Sequence, residues 1–110
     1  MPELPDVTIY LEALEKRIRG ERIRAVRIAS PFLVRTFEPP VEALVGKRVE
    51  ELRRVGKRIA IGCEDRLWLV VHLMIAGRLH WHTEHVRLPA KRGLAAVDFD
   101  AGCVTLTEAG

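Results

Sequence analysis

Between Asp6 and Arg19 the apolar residues Val7, Leu11, Leu14 and Ile18 recur at spacings of four, three and four, which lines one stripe of a helix. Pro5 and Asp6 suit its first turn and Gly20 its end, and Glu12 and Lys16 form an (i, i+4) pair on the open face. Beyond Gly20 the period shortens toward two. Arg22 to Ser30, with Ile23, Val26 and Ile28, predicts a strand, and Leu33 to Phe37 a second. Pro39-Pro40 opens a short helix, Val41 to Val45, closed by Gly46. Val49 to Val55 and Ile59 to Cys63 are predicted strands on either side of a tight Gly56-Lys57 turn; Ile59, Ile61 and Cys63 alternate with smaller residues. Glu64-Asp65 predicts another hairpin turn. Leu67 to Met74 reads as a buried central strand, followed by Arg78 to His82, a charged loop at 83–93, and a hairpin of Leu94 to Phe99 and Cys103 to Thr107 around Asp100-Ala101-Gly102. About eight short strands with hairpin signals predict a mainly β fold, a β-sandwich or flattened barrel with two flanking helices.

Composition bounds this picture without changing it. The 110 residues suffice for one domain, and 48% hydrophobic with 30% charged residues is globular rather than disordered. The sequence stops at Glu108-Ala109-Gly110 directly after a strand, with no closing helix, so residues 1–110 read as one domain cut from a longer protein. Cys63 and Cys103 belong to no C-x-x-C pair, so neither a metal site nor a cofactor is expected within the chain, and a reducing compartment fits. Glu3 and Asp6 exclude a signal peptide. The longest apolar run, Leu67 to Ala76, is broken by His72 and falls short of the roughly 20 residues of a membrane helix. A soluble cytoplasmic protein with no membrane partner is expected.

The net charge of +3 matters less than its placement. Lys47, Arg48, Arg53, Arg54, Lys57 and Arg58 form one basic cluster, and Lys16, Arg17, Arg19, Arg22, Arg24 and Arg27 another. Such runs are ordinarily solvated faces. Lys57 differs because a turn at a sheet rim presents its side chain outward, where it suits a phosphate contact. His72 ends a buried strand, and Met74 and Ile75 follow it before Gly77. A histidine there is ordinarily a structural hydrogen-bonder and the two apolar residues ordinary core; the alternative is a loop tip that wedges into a base stack.

The first residues carry a different chemistry. Removal of Met1 would leave Pro2 with a free secondary amine, and α-amino groups titrate near about 7.7–8.0, so part is an uncharged nucleophile at neutral pH. Amines attack carbonyl carbons to form Schiff bases, and Glu3 is placed in sequence to shuttle their protons. For an isolated Met-Pro the ordinary reading is end protection and a helix start.

Pro2-Glu3-Leu4-Pro5 ahead of a helix, Gly56-Lys57-Arg58 at a strand turn, and His72-Leu73-x-x-x-Gly77 together resemble the N-terminal domain of the formamidopyrimidine-DNA glycosylase and endonuclease VIII family, in order and over essentially the whole chain. The resemblance implies a bifunctional repair enzyme, a DNA glycosylase and abasic-site lyase. It would flip an oxidised base of the 8-oxoguanine or formamidopyrimidine type out of damaged double-stranded DNA. It implies Pro2 as the nucleophile at C1′ and Glu3 as the general acid/base, followed by β- and δ-elimination. Lys57, counted with the catalytic set, and His72 would clamp phosphates. Ile75 stands where the family's void-filling wedge is usually Met, with Met74 where glycine is common. The family's helix–two-turns–helix module and zinc finger would lie beyond Gly110, and the full-length protein would act as a monomer on nucleoid DNA. The competing reading is a non-catalytic damaged-DNA-binding module of a diverged paralogue, which needs neither Pro2 nor Glu3.

Overall fold

The computed structural model describes residues 4–29, 34–35, 41–72 and 77–108, with the side chains of 4–6 and 34–35 left aside. Its elements in chain order are α1 (Leu4–Ile18), β1 (Ala25–Ile28), β2 (Val34–Arg35), a 3-10 turn (Val41–Leu44), β3 (Val49–Val55), β4 (Arg58–Cys63), a second 3-10 turn (Glu64–Arg66), β5 (Leu67–His72), β6 (Gly77–His82), β7 (Gly93–Phe99) and β8 (Gly102–Glu108). They form two four-stranded sheets, ordered β1-β7-β8-β6 and β2-β5-β4-β3, and every pairing is antiparallel. The mainly β sandwich expected from the alternating pattern is the observed architecture.

One apolar core holds the two sheets and α1 together. Val7, Leu14 and Ile18 meet Leu52, Ile59, Ile61, Leu69 and Val71 from one sheet, and Val97, Phe99, Val104 and Leu106 from the other. Phe99 is fully buried; truncating such a side chain to alanine costs about 3–5 kcal/mol. The helical stripe read from sequence is therefore the buried one, and Glu12 stays exposed on the open face.

Several boundaries move for physical reasons. The second flanking helix is a single 3-10 turn, Val41–Leu44, because so few residues cannot support an α-helical ladder. The predicted strand from Arg22 begins only at Ala25. Ahead of it the backbone crosses between sheets: Ile23 N donates to Lys47 O at 2.9 Å and Arg24 N to Asp98 O at 2.7 Å. β5 is central in its sheet but buried on one side only. Leu69 and Val71 face inward, whereas Trp68 is 37% exposed. By contrast β7 and β8 are buried on both faces, because the segment between β6 and β7 folds back over the outer side of their sheet. There Arg27 Nη1 donates to Val86 O at 2.7 Å, and Cys103 Sγ to Glu84 O at 3.4 Å.

Candidate nucleic-acid interface

The rim of the sandwich is built from a two-residue turn. Val55 pairs with Arg58, and Gly56 between them has φ of 63°, which the first position of a II′ hairpin turn requires and glycine adopts without strain. Lys57 occupies the tip and is exposed. Arg58 lies directly opposite His72 in the β4–β5 ladder, and directly opposed residues in an antiparallel pair stand only about 4.5–5.5 Å apart at Cα. Both are exposed on the outer side, while their neighbours Ile59 and Val71 face the core. The ladder thus brings Lys57 and His72 to one end of one sheet.

The second sheet contributes to the same end. β6 starts at Gly77, opposite Glu108 at the end of β8, and Arg78 lies opposite Thr107. Glu108 N donates to Arg92 O at 2.8 Å, which fixes the entry into β7. Arg78, Arg92 and Glu108 are all exposed. Helix α1 points the same way. Gly20 N donates to Val49 O at 2.8 Å, so the helix ends at the far end of β3. Arg17 stacks 5.9 Å over Trp81, whereas Tyr10, Leu79 and His80 line one pocket on the helix flank. Run backward over its 15 residues, about 22 Å at 1.5 Å each, the helix leads to the end that holds Lys57, His72 and Gly77. The chain enters it through Pro2 and Glu3. These two residues, with Met74 and Ile75, lie outside the described residues.

Away from the rim several basic side chains are paired: Arg22 meets Glu64 at 3.0 Å, Arg24 grips Asp100 through two bonds of 2.9 Å, and Lys47 pairs with Asp65. The backbone N–H of Arg48, with Arg22 nearby, holds Glu64 below the usual carboxylate range; the Arg24 guanidinium does the same for Asp100. At the rim, no carboxylate among the described residues comes within ion-pair distance of Arg54, Arg58, Arg78 or Arg92. A surface with uncompensated guanidinium groups is what a phosphate backbone recognises. Arg78 and Arg92 were not legible as site residues, because only strand register and the Glu108–Arg92 bond bring them to one end of their sheet, the end at which β6 begins.

The buried thiols play no part in this surface. Burial pushes Cys63 from 9.0 up to about 11, so it remains a neutral thiol at physiological pH. Among the described residues no group of three or more His, Cys, Asp or Glu is placed to hold a metal ion, and no helix is long and apolar enough to cross a membrane.

Comparison with known proteins agrees with this geometry. Residues 1–107 match the family model of the formamidopyrimidine-DNA glycosylase N-terminal domain. Formamidopyrimidine-DNA glycosylase of Variovorax paradoxus is 44% identical over 81 residues, 74% of this chain and 29% of that protein. That of Pelobacter propionicus is 37% identical over 106 residues, 94% of this chain and 39% of that protein. The chain thus spans well under half the length of these relatives. Among solved structures, Lactococcus lactis formamidopyrimidine-DNA glycosylase non-covalently bound to DNA with an abasic site superposes with a TM-score of 0.83 at 28% identity, over 97% of this chain and 41% of that one. The same enzyme with DNA containing Fapy-dG superposes with a TM-score of 0.80 at 28% identity, over 96% and 40%. With its sandwich, its basic rim and a family match across nearly its full length, the chain belongs to the family of formamidopyrimidine-DNA glycosylase N-terminal domains.

Proposed function

We propose that residues 1–110 are the catalytic N-terminal part of a longer base-excision repair enzyme that removes oxidised bases from duplex DNA and then cuts the strand. One observation carries the reading: the β4–β5 ladder brings Lys57 and His72 to one exposed rim, at the end toward which α1 leads back to Pro2 and Glu3 in sequence. The relatives named as formamidopyrimidine-DNA glycosylases, and the DNA complexes of the Lactococcus lactis enzyme, support it.

In this mechanism Lys57 and His72 hold phosphates on either side of an extruded nucleotide, and Met74 and Ile75 fill the gap left in the stack. The Pro2 nitrogen attacks C1′, forming an N–C1′ bond as the glycosidic bond breaks and the base leaves with that electron pair. Glu3 moves the protons that open the sugar ring and give the iminium. The iminium acidifies C2′–H; loss of that proton expels the 3′ phosphate, and a second elimination expels the 5′ phosphate. Water then hydrolyses the imine and frees Pro2. No step calls on a metal. The family's zinc finger and helix–two-turns–helix module belong to the sequence beyond Gly110, and the complete protein works as a monomer in the cytoplasm on nucleoid DNA.

Borohydride trapping tests the proposal. The full-length protein should form a covalent adduct with abasic-site DNA that maps to Pro2. One residue added ahead of Pro2 should abolish the adduct, and Glu3→Gln should slow base excision by about 10²–10⁴-fold. Lesion binding without any adduct would sink the catalytic reading and leave a damage-sensing module in its place.

A further inference from the structure

We propose that the cleft between β6 and the segment folded back over its sheet is a second phosphate site, which takes a single nucleic-acid strand continuing past the rim. The cleft encloses about 660 Å³, inside the roughly 300–1,000 Å³ range of small-ligand sites and too small for a duplex. Arg78 and His80 stand on one wall and Arg87 and Arg92 on the other, with His82 and Thr105 deeper in. Thr105 is 2% exposed and its hydroxyl lies 3.0 Å from His82 Nε2.

Three observations single out this cleft. First, no carboxylate among the described residues pairs with Arg78, Arg87 or Arg92, whereas Arg22 and Arg24 at the far end of the sandwich each pair with one. Unpaired guanidinium forks are made for bidentate phosphate contact. Among the described residues Glu108 is the one carboxylate lining the cleft, and it leaves the positive excess standing. Second, the wall that carries Arg87 is fixed in place. Besides the bonds to Val86 O and Glu84 O, His85 Nε2 lies 2.6 Å from Phe99 O, and Gly93 N donates to Pro89 O at 2.9 Å. A wall held at four points keeps its shape when a ligand arrives, which lowers the ordering cost of binding. Third, the mouth of the cleft at Arg78 and Arg92 is continuous with the rim, so a strand held there has a path into it.

The choice of ligand rests on the proposed function; the cleft and its charge do not. The test uses the full-length protein and two lesion probes, a short blunt duplex and the same duplex with a single-stranded extension. The wild-type protein should bind the extended probe more tightly. Arg87→Ala should erase that gain and lower the log K against log salt slope on the extended probe by about 0.7, the single-strand value for one phosphate contact, and Arg87→Glu should invert the gain. Blunt-duplex binding and borohydride trapping should stay at wild-type levels in both variants. Lys57→Ala is the control and should weaken both probes. If Arg87→Ala and Arg87→Glu keep the full gain from the extension, the cleft takes no strand, whatever Lys57→Ala does. If instead only Lys57→Ala is silent, the cleft stands and the rim assignment falls.

Discussion

At the scale of single residues, two glycines show how the surroundings decide the cost of one methyl group. A Cβ at Gly62 would stand 2.8 Å from the far end of the Trp68 ring. That ring is 37% exposed, with Arg53 stacked 5.4 Å above it, so it has room to swing outward. A Cβ at Gly102 would stand 2.0 Å from the backbone oxygen of His82, and Gly102 has φ of 155°. That oxygen belongs to the strand paired with β8 and cannot retreat without opening the ladder. Gly62→Ala should therefore cost about 1 kcal/mol and Gly102→Ala more than about 3 kcal/mol. Urea denaturation of the two variants checks the ordering. Equal costs would mean that the β6–β8 pair yields as easily as an exposed side chain.

At the scale of elements, the segment between β6 and β7 acts as a third layer over one sheet, and Arg27 is its fastener. Arg27 makes two bonds to Asp98, of 3.0 and 2.8 Å, and a third to Val86 O. The Asp98 side chain is only 9% exposed and that of Arg27 33%. Arg27→Ala would leave a buried carboxylate without its partner and release the segment's midpoint. The expected loss is about 3 kcal/mol, the lower end for a broken buried pair because Arg27 is partly solvated. In an Asp98→Asn background the same change should cost less, since no buried charge is then abandoned. Thiol labelling gives an independent readout: Cys103, buried under this segment and donating to Glu84 O, should react faster in Arg27→Ala. Unchanged labelling would show that the segment is held without Arg27.

At the scale of the whole molecule, stability and DNA binding respond differently to solvent. Glu64 and Asp100 are held below the usual carboxylate range, by the Arg48 N–H and the Arg24 guanidinium respectively. A depressed carboxylate stabilises the fold above its unfolded pKa, and the benefit disappears as pH falls through its folded value. Cys63 works in the opposite direction. The unfolded thiol ionises near 9.0 while the native one holds its proton to about 11, so the unfolded state gains and stability declines as pH rises through that interval. Chemical denaturation across pH should therefore show a plateau bounded by an acid limb below about pH 5 and an alkaline limb above about pH 9. Cys63→Ser in place of the thiol should remove its share of the alkaline limb and leave the acid limb in place. Because exposed pairs contribute little and are screened, added salt should barely move this stability while weakening DNA binding steeply.

Local information was enough for much of this protein. The four-three-four spacing of Val7, Leu11, Leu14 and Ile18 specifies a helix with one buried stripe, and alternation in β4 specifies which residues face the core, because helix and strand periods are properties of the backbone itself. Gly56-Lys57 specifies a turn, since only glycine takes the required positive φ without strain. The family motifs were legible for the same reason, being short and contiguous. What needed the tertiary structure was every relation between distant segments. The pairing of Arg58 with His72, the arrival of Arg78 and Arg92 at the same rim, and the folding of residues 83–92 over β7 and β8 depend on strand register and sheet order. So does the pairing of charges, because partners such as Arg24 and Asp100 lie far apart in the chain. Register is decided by which apolar faces pack together across the whole core, and no local window of sequence contains that choice.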